Sequence, residues 1–243
     1  MNETDEATLF RLFWENSKLN RRTIRDFAAG LERDDRSVHE TSELAYSQSR
    51  PLPAEADRLF TLMARRRSER TFAPTPLSIV ELGRLFSAFA HRAGGRLLPS
   101  AGGRYPIEVF AFLFAAEGEF DKTIVHYDGS RHSLAIVGQC PDYGAIHEEL
   151  GLSAESSRPA AMFFFAAFPS RILPRYAERG GRFLLIECGH YAQNLALRLA
   201  EDGLCGYELG GYYDDAVRSR LGLADTDAMV ALGYACGNDP ARR

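Results

Sequence analysis

Cysteine is sparse in this chain. Four occur in 243 residues, at positions 140, 188, 205 and 236, and no two stand in a C-x-x-C spacing. That argues against a disulfide framework or a zinc cluster and leads us to expect reduced thiols in a cytoplasmic protein. The six histidines are scattered, without metal-ligand spacing. Long hydrophobic runs are missing too. The longest, Pro159 to Pro169 (PAAMFFFAAFP), is strand-sized and well short of the ~20 residues that span a bilayer. The chain opens on the acidic stretch MNETDE, whereas a signal peptide opens on basic residues. Neither sign of charge dominates: 29 Lys and Arg face 33 Asp and Glu, a net charge of -4. Nothing there recommends a nucleic acid or an anionic membrane as partner. H-E-x-x-H, G-x-x-x-x-G-K-[ST] and G-x-S-x-G are absent, and Gly206, Gly210 and Gly211 do not make G-x-G-x-x-G.

What is present is ordinary for a globular protein, with 45% hydrophobic and 26% charged residues and enough length for a sizeable core. The stretch from Phe183 organises the rest. Leu184, Cys188, Tyr191, Ala192, Leu195 and Leu199 recur at helical spacing, and so do the mostly small Leu185, Gly189, Ala192, Ala196 and Ala200. One polar stripe remains, Glu187, His190, Asn194, Arg198 and Glu201. A helix so apolar around its girth belongs inside. Gly203 ends it, Leu204 to Leu209 reads as a strand, and Gly210-Gly211 breaks that strand where backbone must approach something closely.

Upstream, residues 7–17 and 22–31 read as helices, the first with Leu9, Leu12 and Phe13 on its apolar face. Residues 34–53 are polar and aperiodic, so 1–53 reads as an N-terminal helical extension and arm, and 54–243 as the main domain. A helix over 54–65, with Leu59, Leu62 and Met63 inward, runs into Arg65-Arg66-Arg67-Ser68-Glu69-Arg70. Such a group is either a solvated helix end or an anion site, since guanidinium forks bind phosphate bidentately. Ser78 and Glu81 form a capping box. Pro99-Ser100-Ala101-Gly102-Gly103-Arg104-Tyr105-Pro106 makes a rigid exposed turn. Strands follow at 107–115, 123–127, 134–137, 160–168 and 228–235, with helices at 143–150 and 214–221, the last capped by Asp214.

An Arg/Ser anion site, a Gly-rich Pro-Ser turn and a Gly-Gly turn after a buried helix suit a cofactor with a phosphate tail and a flat ring. In this order they resemble the FMN-dependent nitroreductase family. The turn at 99–106, FLLIECGHYAQNLAL and LGGYYDD are similar to its SagB-type branch, the thiazole- and oxazole-forming azoline dehydrogenases. The resemblance covers about residues 54–236. It implies an α+β fold with a central mixed sheet flanked by helices, and a homodimer with FMN at the interface. Arg66, Arg67, Ser68 and Arg70 would hold the phosphate and ribityl chain, with Arg242 near the phosphate. Pro99, Ser100, Ala101 and Gly103 would line the flavin of the other subunit, and Gly210 and Gly211 would lie near N5. Classical nitroreductases often carry Asn where Gly103 stands. The branch often carries Lys-Tyr before the long helix, where this chain has Arg175-Tyr176. Arg does not act as a base, so Tyr176 is the acid–base candidate and Arg175 orients a carbonyl. The implied activity is oxidation of a peptide azoline or related biosynthetic intermediate, with possible enzyme partners. NAD(P)H-dependent nitro or quinone reduction is one alternative, and a non-catalytic flavin-fold scaffold is another.

Overall fold

A computed structural model describes residues 8–33, 50–53, 55–152 and 158–241. Most of the arm, 34–49, and Arg242 lie outside the described residues. In chain order the elements are helices α1 (Thr8–Ser17), α2 (Thr23–Arg33), α3 (Arg58–Arg65) and α4 (Ile79–Ser87), then strands β1 (His91–Arg92), β2 (Gly95–Arg96), β3 (Ile107–Leu113), β4 (Thr123–Asp128) and β5 (Ser133–Gln139). Helix α5 (Tyr143–Leu150), strand β6 (Ala161–Ala167), helices α6 (Leu173–Tyr176) and α7 (Glu178–Asp202), strand β7 (Leu204–Leu209), helix α8 (Asp214–Arg220) and strand β8 (Met229–Asn238) complete the fold.

Six strands form one sheet in the order β5-β4-β3-β6-β8-β7. Each pairs antiparallel with its neighbours. Parallel pairing enters through isolated bridges, Ser68 with Gly206 and Leu77 with Ala116, and in that sense the sheet is mixed. β6 is central, and all seven of its residues are buried. Its side chains alternate between two cores, as the period of a strand requires. Phe163 and Phe165 face α4 and α7, where they meet Phe86, Phe89 and Tyr191. Phe164 faces the other way, against Phe112 and Tyr212, in a core shared with α5 and α8.

α7 is 25 residues long and begins at Glu178, five residues before the expected start. Gly180 and Gly181 lie inside it, buried, because Leu173 and the Phe10 ring occupy the space a Cβ would need. Gly203 closes it in the left-handed conformation, as expected, with φ 68°. The Ser78–Glu81 capping box is formed. One cap and two helix faces differ from expectation. Asp214 does not cap α8; its carboxylate accepts from the Leu19 amide at 2.9 Å and so ties down the N-terminal extension. On α1 it is Phe10 and Trp14 that are buried, while Leu9, Leu12 and Phe13 are exposed. Glu178 holds the first turn, its two carboxylate oxygens accepting from the Leu9 and Phe10 amides at 2.9 and 2.7 Å, and the Phe10 ring lies on Gly181 of α7. Leu59 and Met63 of α3 are exposed as well, against expectation.

Gly181→Ala tests how α1 is held. Replacing Gly by Ala inside a helix ordinarily stabilises by about 0.5–1 kcal/mol, but here the Phe10 ring stands inside contact distance of the new methyl. Expelling a buried Phe costs roughly 1.5–3 kcal/mol. The expected outcome is a net loss of about 1–2 kcal/mol in α1 docking, seen as faster amide hydrogen exchange over residues 8–17 with the sheet unchanged.

Candidate functional site

The arginine run lies where α3 ends and the chain joins the sheet edge. Ser68 bridges to Gly206 on β7, and the Glu69 amide donates to the Gly206 carbonyl at 3.1 Å. Arg65, Arg66 and Arg67 thereby line a cleft of about 310 Å³, with Ala196, Leu199, Ala200 and Gly203 of α7, Gly206 and Asp239. The arginines are not equivalent. Arg67 is engaged by Asp239 at 2.7 Å and approaches Glu69 at 3.8 Å. Arg70 packs over the Tyr207 ring, 4.9 Å from its centroid. Among the described residues no ion pair or hydrogen bond uses the Arg66 guanidinium. Arg66 and Ser68 are both exposed. An uncompensated guanidinium beside a hydroxyl fits a phosphate. Arg65 belongs to this cleft too; it was visible in the run but not singled out.

The second group gathers at the other end of α7. The turn at 99–106 is held from inside, because Ser100 Oγ accepts from the Tyr105 amide at 2.7 Å. Gly102 and Gly103 have φ 59° and 64°, and Tyr105 has φ 46°. A Cβ on Gly102 would stand 2.5 Å from Tyr176 Oη and 3.1 Å from Arg175 Nε. The turn and the Arg175-Tyr176 pair therefore form one module within one chain. Ala177, the next residue, also has a positive φ, 44°, a conformation costing on the order of 1–3 kcal/mol that the surrounding packing sustains. Tyr176 is half-buried with its ring edge-on to Phe183, and Arg175 is exposed above it. Pro99 and Gly103 are exposed, Ser100 and Ala101 half-buried.

Beneath this turn lies a residue not foreseen as functional. Glu187, assigned to the polar stripe of the long helix, is 2% exposed. Burial pushes its carboxyl above the usual range, and Ser100, Arg96 and the Ala101 amide draw it part of the way back. Those groups face the carboxyl, yet neither oxygen reaches hydrogen-bond geometry. Gly210 and Gly211 follow β7, with open space beside Gly210. Within 4 Å of where a Gly211 side chain would stand lies the Phe27 ring of α2, at 3.7 Å.

The anion cleft and the turn do not meet within one chain. From Glu187 to Ala200 is thirteen residues, about 20 Å of helix. A larger cleft, about 480 Å³, lies between the β1–β2 hairpin and β3–β4. Its carboxylates are already paired, Glu108 with His126 and Arg171, and Asp128 with Arg131. None of the expected site residues lines it. Among the described residues no group of His, Cys, Asp and Glu could hold a metal ion, and no helix is long and apolar enough to cross a membrane. All four cysteines are free and buried.

Comparison with known proteins now carries weight. The nitroreductase family model matches residues 63–237, most of the chain. The chain belongs to the nitroreductase family. A candidate nitroreductase of Methanocaldococcus jannaschii, MJ1384, is 29% identical over 187 residues, covering 72% of this chain and 90% of that one. Among solved structures, a chain of the Escherichia coli microcin synthetase McbBCD complex with truncated pro-MccB17 bound aligns with a TM-score of 0.65 at 22% identity, covering 92% of this chain and 96% of that one. A candidate nitroreductase from Ralstonia eutropha aligns with a TM-score of 0.65 at 21% identity, over 80% and 89% of the two chains. This nitroreductase-family oxidoreductase has the fold expected, a central sheet flanked by helices.

Glu187 makes the stability of the nitroreductase domain pH-dependent. Its folded carboxyl is raised, so the stability it contributes is complete below the unfolded value near 4.5 and is lost as pH rises through the folded value. Glu187→Gln keeps the shape and removes the charge. The variant should gain thermal stability relative to the parent as pH rises from about 4.5 to neutrality, read by denaturation across that range. A constant difference between the two proteins would mean that Glu187 does not titrate there.

Proposed function

We propose that the protein is an FMN-dependent oxidoreductase acting as a SagB-type dehydrogenase on a peptide azoline or a related biosynthetic intermediate. The observation that carries this reading is the division of the candidate residues between the two ends of α7. One end has a guanidinium cleft suited to phosphate; the other has a turn with Arg175 and Tyr176 suited to the reacting face. A second copy packed about a two-fold axis brings one end of α7 against the opposite end of its partner. Leu185, Ile186 and Gly189, exposed near the middle of the helix, are the apolar contact such a homodimer would use. The main domain in this reading is 54–243, with 1–53 as an extension. Four reduced thiols fit a cytoplasmic setting.

In this reading Arg66, Ser68 and Arg70 hold the FMN phosphate and ribityl chain. Arg67, already bonded to Asp239, holds the shape of the cleft, and Arg242 is a further phosphate contact. FMN, when bound, supplies a two-electron acceptor for hydride at its N5. The Gly211 amide stabilises added charge near that edge, and a side chain there would crowd the ring. Pro99, Ser100, Ala101 and Gly103 border the ring from the partner. Tyr176 would take the substrate proton, and the Arg175 guanidinium beside it would orient a carbonyl.

The fold shared with a microcin synthetase chain, solved with a truncated precursor bound, supports a peptide substrate and enzyme partners. The M. jannaschii relative supports a second reading, NAD(P)H-dependent reduction of nitro compounds or quinones. Rapid reduction of the bound flavin by NAD(P)H would favour that reading. A protein that takes up no FMN would leave a scaffold.

The test begins with the absorbance spectrum and sedimentation of the purified protein, expected to be a dimer carrying FMN. Arg66→Ala removes a charge-assisted bond worth about 1.5–3 kcal/mol, so FMN affinity should fall by roughly 10- to 100-fold. Unchanged affinity would take Arg66 out of the site. Tyr176→Phe should keep FMN and slow turnover of a verified substrate by about 10²-fold; turnover at the parental rate makes Tyr176 structural.

A further inference from the structure

We infer that the N-terminal helical pair roofs the reacting face, and that Phe27 is a specificity-determining residue there, selecting flat, ring-bearing substrates by shape. The inference rests on the reading of Gly210-Gly211 as the turn that faces the flavin ring.

The extension lies almost wholly outside the matched family region, which begins at residue 63. Its first helix is nonetheless docked, through Phe10 and Trp14 and through polar anchors before α2. The first is Glu178, two residues beyond Tyr176, which accepts the Leu9 and Phe10 amides of α1. Phe10 and Trp14 bury beside it. The second is the start of α8, three residues beyond Gly211. There Asp214 accepts the Leu19 amide at 2.9 Å, and Asp215 pairs with Lys18 at 3.1 Å. The extension thus runs from the Tyr176 module, which in this reading serves the partner's flavin, to the ring-facing turn of its own chain. From the second anchor the chain turns directly into α2, with Asn20 Oδ1 accepting from the Arg22 and Thr23 amides at 2.8 and 3.2 Å.

Phe27 on α2 then reaches the space beside Gly211, its ring edge 3.7 Å from where a Cβ would stand. The ring is 42% exposed. Ile24, Phe27 and Ala28 make an apolar stripe at helical spacing, yet none of the three is buried. A helix led over a glycine turn by the polar anchors that precede it, with its phenyl ring half in solvent, is placed to contact whatever lies on that turn. A phenyl group offers no hydrogen bond, so it discriminates by shape and by stacking on flat rings. The class it favours is a planar five- or six-membered ring with small substituents, and bulkier rings are hindered.

The experiment uses the full-length protein loaded with FMN, with Phe27→Ala and Phe27→Trp beside the parent. Three quantities are read: FMN affinity, quenching of flavin fluorescence by iodide, and reoxidation of the anaerobically photoreduced flavin by p-benzoquinone or the bulkier menadione. In the last, two electrons and two protons pass from the reduced flavin to the quinone and yield the hydroquinone. Phe27→Ala should leave FMN affinity unchanged, increase iodide access, and raise the menadione-to-benzoquinone rate ratio by about 10-fold, the lower end of what one apolar contact discriminates. Phe27→Trp should lower that ratio. If FMN binds but iodide access and the ratio are the same in all three proteins, Phe27 is not over the ring and the inference fails while the cofactor reading stands. If the parent takes up no FMN, the cofactor reading fails and takes this inference with it.

Discussion

The packing of α7 onto one face of β6 is the constraint from which the rest follows. Leu184, Cys188, Tyr191, Leu195 and Leu199 face Phe163 and Phe165 in one continuous core. Burying side chains of this size stabilises by roughly 1.5–3 kcal/mol each before conformational entropy is counted. That contact fixes the axis of the helix, and the helix carries the candidate site at both ends. Its N-terminal turn brings Glu178 to α1 and stands next to Tyr176. Its middle places Glu187 under the Ser100 turn. Its last turn and Gly203 form one wall of the arginine cleft. A shift along the sheet by one helical turn, about 5.4 Å, would move every one of these together.

Charge near the cleft is distributed so that structure and binding do not compete for one residue. Arg67 is committed to Asp239 and joins the region after α3 to the chain beyond β8. Arg66, one residue earlier, lines the same cleft, and its guanidinium has no ion pair or hydrogen bond of its own among the described residues. A run of basic residues is visible in the sequence, but which member is taken by Asp239 depends on a partner 172 residues away.

Much of the fold was legible in local patterns. The buried strand at 161–167, the left-handed Gly203 and the Ser78–Glu81 box follow from periodicity, backbone sterics and reciprocal capping, all of which act over a few residues. What could not be read depended on partners distant in sequence. Leu9, Leu12 and Phe13 looked like the inner face of α1 because helical spacing favours them; the face that packs carries Phe10, whose ring lies on Gly181, 171 residues away. Asp214 has the composition of a cap but serves Leu19 instead. The long helix begins five residues early, at Glu178, with Gly180 and Gly181 inside it, the second pressed against the Phe10 ring. In the site, the arginine run and the turn could be recognised as units. That Tyr176 abuts Gly102 could not, since nothing local couples residues so far apart.

Glu187 shows what it costs to bury a carboxyl beneath a turn. A buried carboxyl without a well-formed hydrogen bond is costly, on the order of 1–3 kcal/mol even when neutral. The cost is reduced if the groups facing it complete their bonds. Ser100 can donate its hydroxyl proton to Glu187 while its oxygen continues to accept from the Tyr105 amide, because a hydroxyl both donates and accepts. The Ala101 amide can approach the same carboxyl. Closing these bonds would draw the first residues of the turn toward α7, and Gly102 rests on the Tyr176 hydroxyl. Ser100 thus stands between the buried carboxyl and the turn that carries Gly102 to Tyr176.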